Sequence, residues 1–268
     1  MIAVGQAGAG LVSFIGAGPG DPDLITLKGL RRLREADVIV HDRLVPMSLL
    51  AEARRGAEII DGGKTPGRRS PTQDAINRLL VVRARAGRRV ARLKGGDPAI
   101  FGRLAEEVRE VRAAGVPFEI VPGVTAATAA AARAGISLTE RGAASMVVFA
   151  TGAAQTGGVT GSLDWRWLAR APATLVFYMV VRGLEVIAGT LVACGRDPDD
   201  PALIAEHLGT VEERIVVIRL ADLAGRGRSL DVVSPAVLIT GPTVAAARAA
   251  LEASRLRMDA PARLAVTG

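Results

Sequence analysis

The chain has 268 residues, 49% hydrophobic and 23% charged, a composition that suits a soluble globular protein with core enough for one large or two small domains. Its single cysteine, Cys194, excludes an internal disulfide framework and a cysteine-built metal centre, and no apolar run approaches the roughly 18 residues of a membrane span. A net charge of +7 invites nucleic acid, but 3% aromatic residues and dispersed arginines argue against that partner and favour an acidic small molecule. The first residues lack the basic region of a secretion signal, so a reducing cytoplasm, with neither membrane nor nucleic acid as partner, is the expected setting.

In chain order, Leu11-Val-Ser-Phe-Ile15 reads as a short buried strand, and Gly16-Ala-Gly-Pro-Gly-Asp-Pro-Asp-Leu-Ile-Thr26 as a glycine-rich turn into a helix. In an open α/β sheet such a turn brings backbone close to a bound cofactor. A dinucleotide fingerprint wants a third glycine where Asp21 stands. Pro19 lacks an N–H, and Asp21 puts negative charge where a pyrophosphate would dock. The turn therefore suits a cofactor without phosphates. Further strands are expected at 38–41, 57–60, 89–93 and 118–121, with helices at 24–35, 46–54, 71–86, 101–114 and 124–134. This alternation predicts βαβ units and a mostly parallel sheet.

After Gly135-Ile-Ser-Leu-Thr-Glu-Arg-Gly142 the pattern restarts, with strands at 146–150, 174–178, 202–205, 213–220 and 236–240 and a last helix at 244–254. The run 213–220 closely follows another strand and reads as antiparallel. The expected architecture is two α/β lobes, at 11–138 and 139–255, the first mostly parallel and the second mixed, with a cofactor cleft between them. Residues 1–10 and 256–268 read as tails.

Several turns fall at the carboxyl ends of strands, where open sheets place ligands: Asp42-Arg-Leu-Val45, Gly62-Gly-Lys-Thr-Pro-Gly-Arg-Arg-Ser70, Lys94-Gly-Gly-Asp-Pro98 and Pro122-Gly-Val-Thr-Ala126. Together with the first turn they predict a backbone-lined cofactor site beside an acid/base pair, with Asp42, Lys64 and Asp97 pointing into it. Plainer readings stand beside this one. Asp42 could hold a ribose hydroxyl or pair with Arg43. Lys64 could be a solvated loop residue or a carboxylate clamp. Met179 could be core filler at a strand end, and Cys194 a buried apolar residue. His41 and His207 read as packing or surface groups, and Trp165 and Trp167 as anchors of a loop onto the second lobe.

The ordered set Gly16-Ala-Gly-Pro-Gly-Asp-Pro22, Ala36-Asp-Val-Ile-Val-His-Asp-Arg-Leu-Val45, Gly63-Lys64, Arg92-Leu-Lys-Gly-Gly-Asp-Pro98, Phe101-Gly-Arg103, Val121-Pro-Gly-Val-Thr-Ala126 and Leu175-Val-Phe-Tyr-Met179 resembles the tetrapyrrole methylases, and among them the uroporphyrinogen-III C-methyltransferases, over residues 11–245. The resemblance implies a two-lobed homodimer that binds S-adenosylmethionine in its cleft and methylates C2 and C7 of uroporphyrinogen III, an anionic tetrapyrrole. Precorrin-2 would be the product, on the way to sirohaem and cobalamin. It further implies Asp42 as general base and Lys64 as general acid. Donor contacts would fall on Pro19, Gly95, Gly96, Asp97, Ile100, Thr125, Ala126, Met179 and Leu208, and Arg103 could bind an acidic arm of the substrate. The chain departs from the family pattern at Leu104, Ala105, Glu140 and Ala153, and carries an extra residue near Leu208. These departures bear on the acceptor more than on the donor. They leave open a later precorrin, another electron-rich small molecule, or a binding module without catalysis.

Overall fold

A computed structural model describes residues 10–63, 72–152 and 162–247. The chain divides into two compact units, Met1–Ala126 and Ala127–Gly268. The first is a parallel sheet of β1 (Leu11–Gly16), β2 (Val38–His41), β3 (Glu58–Asp61), β4 (Arg89–Lys94) and β5 (Phe118–Val121), in the order β3-β2-β4-β1-β5. Its helices are α1 (Leu27–Glu35), α2 (Met47–Leu50), α3 (Gln73–Arg85) and α4 (Leu104–Ala113).

Both faces of this sheet are covered, which explains why β1 and β2 are near-continuous apolar runs. Strand parity sorts the side chains. Ile15, Ile39, Ala91 and Leu93 pack with Leu33 and Leu49 on the α1 and α2 side. Val12, Phe14, Val38, Val40 and Val90 pack with Ile76, Leu80 and Val111 on the α3 and α4 side. The expected helix at 24–35 is shorter than the sequence reading: Pro22–Leu24 is a 3-10 turn, and α1 begins only after Thr26, whose side chain accepts from Gly29 N–H at 3.0 Å. A residue serving as N-cap is extended, so the helix cannot run through it. The stretch expected as a helix at 46–54 keeps only the four residues of α2.

The second unit holds α5 (Ala126–Arg133, from its second residue), β6 (Met146–Thr151), α6 (Trp165–Arg170), β7 (Ala173–Tyr178), α7 (Leu184–Ala193), β8 (Pro201–Glu206), β9 (Arg214–Arg219), α8 (Leu220–Arg226) and β10 (Ala236–Thr240). Its sheet is mixed, in the order β6-β7-β10-β8-β9. β6 and β7 are parallel, β10 runs antiparallel to both β7 and β8, and β9 is antiparallel to β8, as expected for the run 213–220. Leu175, Phe177, Ile204 and Leu238 form one core with Leu168, Ile187, Leu191 and Leu223 from the helices. Pro242–Val244 is a 3-10 turn, and the expected helix beyond it and both tails lie outside the described residues apart from Gly10 and residues 245–247.

Three sequence expectations need correction. Trp165 and Trp167 belong to α6 rather than a loop. Trp165 stacks on Phe177 at 5.9 Å, whereas Trp167 is 49% exposed. Cys194 is only partly buried, at the C-cap of α7. His41 is buried, as a packing role requires. Among the described residues, no helix is long and apolar enough to cross a membrane, and no group of His, Cys, Asp and Glu could hold a metal ion.

Because Phe177 is fully buried and Trp167 half exposed, Phe177→Ala should destabilise the fold by about 3–5 kcal/mol and Trp167→Ala by under about 1 kcal/mol. Denaturant unfolding followed by circular dichroism measures both, and equal costs would remove Phe177 from the core.

Candidate functional site

All five strands of the first sheet run the same way, so the segments after them leave along one edge. At that edge three backbones touch with no side chain between them. A Cβ on Gly123 would stand 2.4 Å from Gly96 O, and one on Gly16 would stand 2.6 Å from Gly123 Cα. Gly95 packs against Leu44, and Gly63 against Arg43, so the loops after β2 and β3 join the same cluster. Lys64 follows immediately but lies outside the described residues.

The first glycine turn is fastened rather than open. Ala17 N–H donates to Lys94 O at 2.8 Å, Gly18 N–H to Gly96 O at 3.3 Å, and Gly96 N–H to Gly18 O at 2.7 Å. Of these, the Ala17 and Gly18 N–H groups belong to the turn whose donors a dinucleotide fold would aim at phosphate. Asp21 caps the following 3-10 turn, accepting from Asp23 N–H at 3.0 Å. Asp97 is likewise engaged. Its carboxylate accepts from Ala99 N–H at 2.7 Å and from Gly123 N–H at 2.9 Å, tying the loop after β4 to the loop after β5. The sequence reading aimed this carboxylate into the site; the structure uses it as a loop tie. Pro19, Gly95, Gly96, Ile100 and Thr125 lie in this set of loops and Ala126 opens α5 directly after them, each partly exposed.

Asp42 follows β2, with its N–H donating to Leu93 O at 3.1 Å. Its partner is not the adjacent Arg43 but Arg92, fifty residues on, whose Nη2 lies 2.5 Å from Asp42 Oδ1. Arg92 belongs to a buried charge cluster that sequence reasoning missed. Arg92 and Lys94 share the parity of Val90 on β4, so they point toward α3 and α4. There Glu107 of α4, fully buried, accepts from Arg92 Nε at 3.0 Å, from Lys94 Nζ at 2.9 Å and from Gln73 Nε2 at 3.0 Å. Lys94 Nζ also lies 4.0 Å from Asp42 Oδ2. Burial, and then the charge of Arg92, pull the Lys94 ammonium below the ordinary lysine value despite Glu107 and Asp42. A signal was present in the sequence: Arg92 and Lys94 stand at alternate positions of a strand, on the same face as the apolar Val90.

Arg103 has φ +55 and precedes α4, its guanidinium forked onto Glu106 at 2.7 and 2.8 Å. That hydrogen-bonded pair holds Arg103 above and Glu106 below their ordinary values. Glu140 sits in an exposed turn bridged to Ala144. Ala153 lies outside the described residues.

In the second unit, β6, β7 and β8 end at a common edge, since Thr151 pairs with Tyr178, Tyr178 with Val237, and Glu206 with Ala236. Met179 leaves that edge at φ +55 and is 52% exposed, so it is not core filler. Leu208 leaves it too but is buried, next to His207 at φ +46. His207 faces Glu212 at 3.5 Å. The register therefore brings Met179 and Leu208 to one edge.

Residues 11–224 match the family model described as Tetrapyrrole (Corrin/Porphyrin) Methylases. A siroheme synthase of Stutzerimonas stutzeri is 46% identical over 235 residues, 88% of this chain and 50% of that protein. The chain thus spans about half the length of the curated relatives it matches. A crystal structure of uroporphyrin III C-methyl transferase from Thermus thermophilus is 43% identical, with a TM-score of 0.76 over 88% of this chain and all of that one. A structure of such an enzyme from the same organism complexed with S-adenyl homocysteine is also 43% identical, with a TM-score of 0.73 over 87% of this chain and 92% of that one.

If the three-loop contact is as tight as described, Gly123→Ala should destabilise the fold by about 2 kcal/mol or more, because the clash is with backbone that cannot swing aside. Thermal unfolding beside wild type checks this, and a shift within error would mean that the loops are free to part.

Proposed function

This chain belongs to the tetrapyrrole (corrin/porphyrin) methylases, and from that premise we propose that it methylates C2 and C7 of uroporphyrinogen III from S-adenosylmethionine, giving precorrin-2 for sirohaem and cobalamin. The observation that carries the reading is the fastened glycine turn. With the N–H groups of Ala17, Gly18 and Gly96 spent on neighbouring backbone, the edge offers close approach without a phosphate cradle. That fits a donor which has no phosphate and whose sulfur is positively charged.

When bound, the donor supplies an electrophilic methyl group. We assign its holding to Pro19, Gly95, Gly96, the backbone of Asp97, Ile100, Thr125 and Ala126, with Met179 and Leu208 as further contacts. A nucleophilic pyrrole carbon forms its new bond to the methyl as the carbon–sulfur bond breaks. In this reading Asp42 takes the proton that the macrocycle must lose, and Lys64 returns a proton where the ring needs one. Each such group is worth roughly 10²–10⁴-fold, with alignment of methyl and carbon worth more. Arg103 is the candidate for an acidic arm of the substrate, at the cost of sharing its fork with Glu106. The same reading carries a homodimeric assembly and a cytoplasmic setting.

Purified protein given S-adenosylmethionine and enzymatically made uroporphyrinogen III should yield a red, fluorescent dimethylated product. Donor bound without turnover would shift the acceptor to a later precorrin or another electron-rich molecule, or leave a binding module. Asp42→Asn and Lys64→Ala should each cut turnover at least about tenfold and leave affinity for S-adenosylhomocysteine within a few-fold. Wild-type turnover in both would make these residues structural. Gly96 has φ +68 and borders Val124 and Thr125. Gly96→Val should therefore abolish S-adenosylhomocysteine binding by calorimetry, and native affinity would misplace the site.

A further inference from the structure

Arg92, Lys94 and Glu107 form an ion-pair cluster at 2%, 2% and 0% side-chain exposure. None of the steps above uses Lys94 or Glu107. For stability alone the arrangement is a poor choice, since well-packed apolar residues of similar volume serve as well or better than a buried ion pair. The cluster does reach the surface at one point. Asp42 is 32% exposed and is the outermost of the four charges, at the carboxyl edge of the sheet.

Geometry divides its two oxygens between two cations. Arg92 Nη2 holds Oδ1 at 2.5 Å. Lys94 Nζ faces Oδ2 at 4.0 Å, too far for a hydrogen bond, because Glu107 holds the ammonium at 2.9 Å. Glu107 is itself fixed by Arg92 and by Gln73, whose amide also donates to Asn77. The turn Phe101-Gly102-Arg103 lies against the lysine stem: a Cβ on Gly102 would stand 3.0 Å from Lys94 Cε, and Phe101 and Arg103 flank it at φ +50 and +55. Left-handed non-glycine residues of this kind persist only where their surroundings over-determine them.

We propose that Lys94 is a positioning residue for Asp42: anchored on Glu107, its ammonium faces Oδ2 while Arg92 grips Oδ1, which gives the carboxylate one orientation and one oxygen open to a proton. This rests on the reading of Asp42 as the proton acceptor. Among the described residues, the charged groups that interact with Lys94 are Arg92 on its own strand, Asp42 after β2, and Glu107 and Glu106 on α4. Without the ammonium, Oδ2 loses its electrostatic partner and the carboxylate is held at one end only.

The test uses Lys94→Met and the charge-balanced double variant Lys94→Met/Glu107→Gln, in which both replacements keep shape and the pair's net charge is unchanged. Both should bind S-adenosylhomocysteine within about threefold of wild type yet lose about tenfold or more in kcat. A role in stability alone predicts the opposite pattern. The single variant would then be destabilised, and the double would fold and turn over normally; that result overturns the proposal. A double variant that fails to fold overturns it as well, by showing that the pair is a structural necessity. Asp42→Asn run alongside separates two failures. Full turnover in Asp42→Asn sinks the proton-acceptor reading itself, whereas an impaired Asp42→Asn beside normal Lys94 variants sinks only the role of Lys94.

Discussion

Two cations on one buried strand face demand an anion, and the first unit is organised around meeting that demand. β4 lies between β2 and β1, so Arg92 and Lys94 sit beneath helices on a fully covered face. A buried ion stripped of its partner costs about 3–5 kcal/mol. Glu107 therefore specifies how α4 docks as firmly as Val111 does one turn later, because sliding the helix would leave both cations unmet. Gln73 extends the same logic to α3. Charge thus sets the register of two helices on the sheet, and the carboxylate at the edge inherits a fixed position from it.

The second constraint is the absence of side chains among Gly16, Gly96 and Gly123. Three loops could not approach so closely with even a methyl group on Gly16 or Gly123, while Gly96 is required by its φ of +68 rather than by contact. Proximity alone would leave a flexible edge. What stiffens it is the reciprocal pair of bonds between Gly18 and Gly96, together with the carboxylate of Asp97 bridging to Gly123. The result is an edge of rigid, nearly bare backbone, which suits recognition by shape and by single carbonyl or amide contacts better than recognition of anionic charge.

Much of this was legible in the residues. The strands at 38–41, 118–121 and 236–240 fall where alternation and punctuation put them, and the carboxyl-edge turns cluster as expected. Three helices escaped notice, for local reasons. Leu184–Ala193 is apolar almost all round, so it shows no face by which a 3.6-residue period could be recognised. Trp165–Arg170 and Leu220–Arg226 are too short to establish a period at all. At the site, Asp42 was found but its partner was not. Arg43 stood beside it in the chain, whereas Arg92 reaches it only because β2 and β4 are neighbours in the sheet. Sequence reading can propose a charged pair between neighbours, but it cannot see a pairing created by strand order.

The topology of the second sheet sets the order in which it can be completed. β10 is the last strand among the described residues, yet it fills the position between β7 and β8. Until residue 236 has left the ribosome, those two strands each present an open row of backbone donors and acceptors to any extended peptide nearby. The first sheet has a shorter delay of the same kind, because β4 fills the place between β2 and β1 and its last strand ends at Val121. During synthesis, therefore, a finished amino-terminal half waits on a carboxyl-terminal half whose keystone arrives at the end, and it is in this interval that the nascent chain most needs protection from mispairing.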